Sequence, residues 1–335
     1  MKITPYYFKN MMFIKTLTIS TFLFISMVAC QNNKKSNLAL LSSQIPTDTP
    51  LIFAPGILTS DIHRSGSITF NPNMTELVFN YRKHQGKIPN IYTMKLIDGK
   101  WSKPKKAPFS TDKYLDFHPR FTVNGNRLYF GSTRPISDRV KTPNTSRRLH
   151  QWYVEKNENG DWGEPILMGQ PFVDNYIMGA IPSENGNLYF ASGKGAGADN
   201  EGIYYAINRN GQYDSIERMD DVINTNGKWI AHPYIAPDES YLIYDSEKAT
   251  EPDNGDLFIS FNQNGTWSES YNLGPKINTK LSEGAGTVSP DGKYIFFSRS
   301  EKIVREDGSS YWLSKMYWMD FIKLKKEILK NINSN

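Results

Sequence analysis

The sequence predicts an all-β chain folded as a five-bladed β-propeller of four-stranded antiparallel blades. Three observations carry that prediction. A phrase of strand, Pro/Asn/Asp/Gly turn and aromatic-ended strand recurs five times: Phe70 to Phe79, Phe121 to Phe130, Ile181 to Phe190, Ile235 to Tyr244 and Val288 to Phe297. The closing aromatics lie 51, 60, 54 and 53 residues apart, a period that suits a four-stranded blade. Helical periodicity is nearly absent before the last 15 residues.

The chain begins with a segment set apart from the repeats. Lys2, Lys9 and Lys15 are the only charges in the first 29 residues, and an apolar run, Leu17 to Ala29, leads to Cys30, the sole cysteine. The run is short for a membrane span and suits the core of a signal peptide. Met27-Val28-Ala29-Cys30 resembles the lipobox of bacterial lipoproteins. That resemblance implies lipidation at Cys30, attachment to a membrane through it, and a place in the bacterial cell envelope, at the outer membrane. Lys34 and Lys35 stand where surface-exported lipoproteins of the Bacteroidetes phylum often carry acids, which favours the periplasmic face. Residues 30–49 read as a polar tether, 50–320 as the propeller and 321–335 as a helical tail. One cysteine permits no internal disulfide. Without the three leader lysines the net charge falls from +5 to +2, which leaves no case for nucleic acid.

The repeat in residues 232–274 shows the grammar most clearly. His232 to Ala236 is a first strand, and Pro237-Asp238-Glu239-Ser240 is its turn, with proline fixing φ and aspartate able to bond its own backbone. Tyr241 to Tyr244 is an apolar second strand and Asp256 to Phe261 the third. Asn264-Gly265 is a tight hairpin signal, and Trp267 opens the expected fourth strand. The other third strands are Ile91 to Leu96, Gln151 to Glu155, Ile203 to Ile207 and Tyr311 to Met316. Asp98-Gly99, Asn159-Gly160 and Asn210-Gly211 turn the chain before Trp101, Trp162 and Tyr213. These aromatics, with Trp267, are expected to pack between blades rather than stack on sugar. The fifth repeat has three strands only. Residues 50–56, Pro-Leu-Ile-Phe-Ala-Pro-Gly, are expected to supply its fourth and so remove an exposed edge.

Ser289-Pro290-Asp291-Gly292-Lys293, with variants at Ala236 to Ser240, Val123 to Asn126 and Glu184 to Asn187, resembles the turn of the PD40 or WD40-like repeat of TolB-type propellers. The resemblance covers residues 50–320. It implies the fold and leaves the activity open, since such propellers include partner-binding scaffolds, peptidase gates and carbohydrate enzymes. A Gly-x-Ser-x-Gly elbow is absent, and Gly265-Thr266-Trp267 fails the sialidase Asp-box spacing.

Candidate site residues fall into columns. Twelve positions before each second-strand aromatic stand Ser67, His118, Met178, His232 and Ala285; two further on stand Thr69, Arg120, Ala180, Tyr234 and Thr287. These are expected at the mouth of the axial channel, where histidines can act on a ligand or as a base. Asp61, Asp116, Asp174 and Glu283 gather near the same strand starts. Five-bladed glycosidases of the arabinanase type use three carboxylates at the channel base. Arg82, Lys83, Arg134, Lys194, Lys248 and Arg299 give every blade a cation after strand two, a ring suited to an acidic ligand. The expected function is a lipid-anchored, monomeric binding or scaffold module for an envelope protein or anionic glycan. Ligand contacts are expected from His118, Arg120, His232, Tyr234, Glu283, Arg134, Lys194, Lys248 and Arg299. The alternative is a glycoside hydrolase or lyase using Asp116, Asp174 and Glu283 with His118 or His232. No metal or other cofactor is expected: Asp199 to Gly202 and Asp253 to Asp256 lack the full spacing of a calcium loop.

Overall fold

The computed structural model describes residues 37–334 apart from 60–62, 84–88, 137–148, 194–200, 226 and 248–253. Cys30, Asp61, Lys194 and Lys248 therefore lie outside the described residues.

Five antiparallel sheets form the blades, each running in sequence order from an inner strand outward save for the outermost strand of the fifth, which comes from the start of the domain. The inner strands are His63–Phe70, Asp116–Phe121, Ile177–Pro182, Lys228–Ile235 and Ser282–Val288. They contact one another cyclically, the last against the first, so the ring is closed. The central residues of the second strands are apolar and buried, as Leu242, Ile243 and Tyr244 show. Between blades lie clusters such as Phe53, Phe70, Phe79, Phe296 and Trp318.

The predicted closure is present. Leu51–Ile52 pairs antiparallel with Trp318 and Tyr317 of Ser310–Asp320, completing blade five. The Phe53 amide extends the ladder by donating to Met316 O at 2.8 Å. The Asn-Gly hairpins also form as read, with Asn264 at φ 54° and Gly265 at φ 90°, the left-handed pair that such a turn demands.

Two expectations need correction. Thr266–Trp267 is not the fourth strand of blade four; it closes a small hairpin on Asn262 and Gln263. The outer strand is Tyr271–Asn272, against Phe258 and Ile259. Ser268 is the cause: its hydroxyl accepts the Phe261 amide at 2.9 Å, taking the place of a backbone carbonyl, and the chain then leaves and rejoins the sheet. Ser102 does the same to Lys95 in blade one, where the outer strand is Lys105–Lys106. The second correction concerns the tether. From Asn37 the chain lies on the propeller body, with Leu38 and Leu41 buried in the cluster around Phe53. The Trp101 indole donates to Asn37 O at 2.9 Å. The apolar side chains of Leu38 and Leu41 explain this, since burial removes them from water.

The helix Phe321–Ile332 caps the end of the ring that holds the first hairpin turns. Asp320 caps it by accepting from Lys323 N at 2.9 Å. Phe321, Leu324 and Ile328 share its buried face. Among the described residues no helix is long and apolar enough to cross a membrane.

Candidate functional site

Every inner strand carries a bulge at its middle. Pairing with the second strand slips between Ser65 and Ile68, Phe117 and Arg120, Met178 and Ile181, Ala231 and Tyr234, and Gly284 and Thr287. The bulges place His118, Gly179, His232 and Ala285 in the left-handed region, with φ from 47° to 68°. For the three residues with a Cβ this costs on the order of 1–3 kcal/mol each, and it re-aims their side chains away from the ladder. The sequence alignment put Met178 in this column. The structure puts Gly179 there, because the first hairpin of blade three is one residue shorter: Pro182 pairs with Leu188 where Phe121 pairs with Leu128.

The residue after the second-strand aromatic supports the neighbouring bulge. Asn80 Oδ1 accepts from the Ser67 amide and hydroxyl and, at 3.3 Å, from the His118 amide of blade two. Asp245 Oδ1 accepts the Ala285 amide of blade five at 3.1 Å. The same carboxylate holds His232 Nδ1 at 2.9 Å. That bond assigns the Nδ1 hydrogen and leaves Nε2 as an acceptor in the neutral ring.

His118 and His232 come from blades two and four yet meet, their ring centroids 4.7 Å apart and their planes at 40°. Gly179 lies beside the pair; a Cβ there would stand 3.9 Å from His118 Cβ, an ordinary contact. Burial holds the His118 imidazole well below the ordinary histidine value, and His232 and Arg120 add repulsion of any positive charge. His118 Nδ1 is buried and unpartnered. Above the pair opens a cavity of about 700 Å³. Its walls carry Trp229, Tyr176 and Met178, the serines Ser192, Ser298, Ser300 and Ser314, and the acids Glu201, Asp245 and Glu247; no lysine or arginine is among its described lining residues.

Arg120 and Tyr234 sit deeper, two residues along their strands, and both are buried. Arg120 Nη1 donates to Ile68 O at 3.1 Å. Burial lowers its pKa to about 10, against the pull of Tyr234 and Asp245. Neither Arg120 nor Tyr234 lines the cavity.

The three proposed catalytic carboxylates are not brought together as an acid–base set. Asp116 is fully buried and accepts from Ser110 Oγ, Ser132 Oγ and Arg134 Nη2 at 2.8, 2.7 and 3.2 Å. Glu283 accepts from Thr279 N, Thr279 Oγ1 and Arg299 Nε at 3.0, 2.7 and 2.7 Å. Burial raises both carboxyls, against those bonds. Each is an acid–arginine latch inside its own blade, at equivalent positions in blades two and five. Asp174 is exposed and accepts from Gln170 Nε2 at 2.6 Å. The same latches remove Arg134 and Arg299 from the expected ring of cations. Among the described residues no group of three or more His, Cys, Asp or Glu could hold a metal ion.

Sequence reading missed Asp245, Trp229 and the serine lining. Asp245 had one signal: it directly follows the second-strand aromatic, where blades two and three carry Gly131 and Ala191.

A histidine kept neutral by the fold yet free to protonate when unfolded makes the unfolded chain bind more protons below its ordinary value of 6.5. Stability is therefore full above that pH and falls as the pH drops through it. Between pH 6.5 and 5.5 the His118 contribution is at most about 1.4 kcal/mol per pH unit. Urea melts of the wild type should show that slope, and His118→Gln should flatten it. Equal slopes would remove His118 as the source.

No family description matches this chain, and no curated protein does. Solved structures give fold-level likenesses. TolB from Acinetobacter baumannii matches at 16% identity over 76% of this chain and 54% of its own, with a TM-score of 0.46. A prolyl endopeptidase matches at 10% over 74% and 34%, TM-score 0.38. A thermostable family-43 glycoside hydrolase matches at 14% over 77% and 89%, TM-score 0.46. The chain thus spans about half of the first protein and a third of the second. At these identities and scores the likenesses carry no argument about what the chain binds or does, and its five-bladed architecture rests on its own strand pairing.

Proposed function

We propose that this propeller is a binding module that takes a neutral, hydroxyl-rich ligand, a saccharide, in its axial cavity. The observation that carries this reading is the paired floor of His118 and His232, with the buried Nδ1 of His118 unpartnered and His232 fixed by Asp245. A buried polar atom without a partner is costly unless a ligand or water satisfies it. Serine hydroxyls and carboxylates on the walls can donate to and accept from hydroxyls, and the Trp229 indole offers an apolar face. The acidic lining turns the proposal away from the anionic glycan expected from the loop cations. Lipidation at Cys30 would hold the site at an envelope surface.

Calorimetric titration of the full chain with neutral oligosaccharides and with uronic-acid oligosaccharides tests the reading. Neutral sugars should bind, and Asp245→Asn and His232→Ala should each weaken them about tenfold or more, the scale of one lost charged hydrogen bond. Binding of uronates alone would overturn it. Cys30→Ala should move the protein from the membrane to the soluble fraction, and unchanged fractionation removes the anchor.

A second reading rests on one feature, the His232–Asp245 dyad, which has the form of an oriented general base. Product released by the wild type and lost in His232→Ala, with binding kept, would favour catalysis.

A further inference from the structure

Among the described residues, the second and third strands of blade five are the longest such pair in the propeller. These strands, Tyr294–Val304 and Ser310–Asp320, have 11 residues each, and their pairing is unbroken from Tyr294 with Asp320 to Val304 with Ser310. The second strands of the other blades have five to eight residues. The hairpin leaves the body at the cavity rim, where Ser300 and Ser314 line the wall and face each other at 2.6 Å.

Side chains on a strand alternate between faces, so the cavity face of Ser300 and Ser314 continues at the next pair, Lys302 and Trp312. Two residues of strand rise roughly 7 Å, about one further ring of a bound chain. Trp312 belongs to none of the buried clusters, unlike Trp318 of the same strand, which is wholly buried. Lys302 Nζ lies 5.9 Å from its ring centroid. The inner strand of the adjacent blade four presents a second indole to the cavity. Trp229 is 46% exposed and held at φ 54°, a strained conformation for so bulky a residue.

We infer that the cavity-facing side of this hairpin is a second saccharide subsite, with Trp312 as its stacking face and Lys302 at its edge, and that the ligand is an oligosaccharide reaching from the cavity along the hairpin. The inference rests on the saccharide reading of the cavity. Trp229 serves the ring inside and Trp312 the ring outside. An indole offers a sugar ring's C–H face a large rigid surface at little cost in side-chain freedom.

The test is calorimetry of the full-length chain with gluco-, xylo- and arabino-oligosaccharides of one to six units. In the series that binds, affinity should rise about tenfold from one unit to two or three, the scale of one aromatic stacking contact. Trp312→Ala, with an unchanged melting temperature, should abolish that rise and leave the single-unit affinity intact; Trp312→Phe should keep most of it. A rise that persists in Trp312→Ala, an equal loss for one unit and for several, or length-independent binding by the wild type overturns the subsite alone. If no saccharide of any length binds the wild type, the cavity reading falls and the subsite with it.

Discussion

Deleting residues 50–56 abolishes the cooperative unfolding transition of the propeller. The segment supplies the outer strand of blade five through Leu51 and Ile52. It also supplies Phe53, which is wholly buried with ring contacts to Phe296, Trp318 and Phe70 at 4.9, 5.3 and 6.3 Å. Phe70 belongs to blade one and the other two to blade five, so this one side chain seals the joint where the ring closes. Phe53→Ala alone should cost about 3–5 kcal/mol, by lost transfer energy and the cavity left behind. Total domain stability is only about 5–15 kcal/mol. Deletion adds the unpaired edge of Ser310–Asp320 to that loss. Urea denaturation followed by circular dichroism reads both variants, and an unchanged midpoint in the deletion would refute the closure.

Glu76→Ala should destabilise the fold by about 2–4 kcal/mol. Glu76 is buried, yet its carboxylate accepts from Lys156 Nζ at 2.8 Å and Trp162 Nε1 at 3.1 Å, both from the next blade. Lys156 also lies over the rings of Trp162 and Phe121, 4.9 and 5.7 Å from their centroids. Removing the acid leaves an ammonium and an indole N–H between blades without their acceptor, and the uncompensated charge dominates the cost. The lysine side chain is 20% exposed, which places the effect below that of a fully buried pair. Glu76→Leu combined with Lys156→Met should recover most of the loss, since apolar replacements can match a buried ion pair. A double variant as unstable as Glu76→Ala would show that packing, not charge, sets the effect.

The parts legible in the sequence are those governed by local rules. Asn264-Gly265 states its own turn, and the repeated aromatics state the blade period. The missing fourth strand of the last blade was visible because the other copies have one. The shared column of His118 and His232 was visible for the same reason. What stayed hidden depends on register and on neighbours distant in sequence. Ser268 and Ser102 break a ladder through a hydroxyl, which nothing in their own stretch announces. Arg134 and Arg299 looked like solvent-facing cations until their partners, Asp116 and Glu283, arrived from the strand beside them. Leu38 looked like tether because its burial needs Phe53 and Met94 to be assembled first. Trp229 and Asp245 matter only once blades four and five stand together.

Closure by the first strand also sets an order in time. Thr59 Oγ1 accepts the Met316 amide across 257 positions of chain, and Leu51 has no partner until Trp318 exists. Four complete blades can be in place while the apolar stretch from Leu51 to Leu58 still waits, unpaired, for the last strand. The ring is thus a proof of completeness: a chain cut short before Ser310 leaves its own beginning unsatisfied.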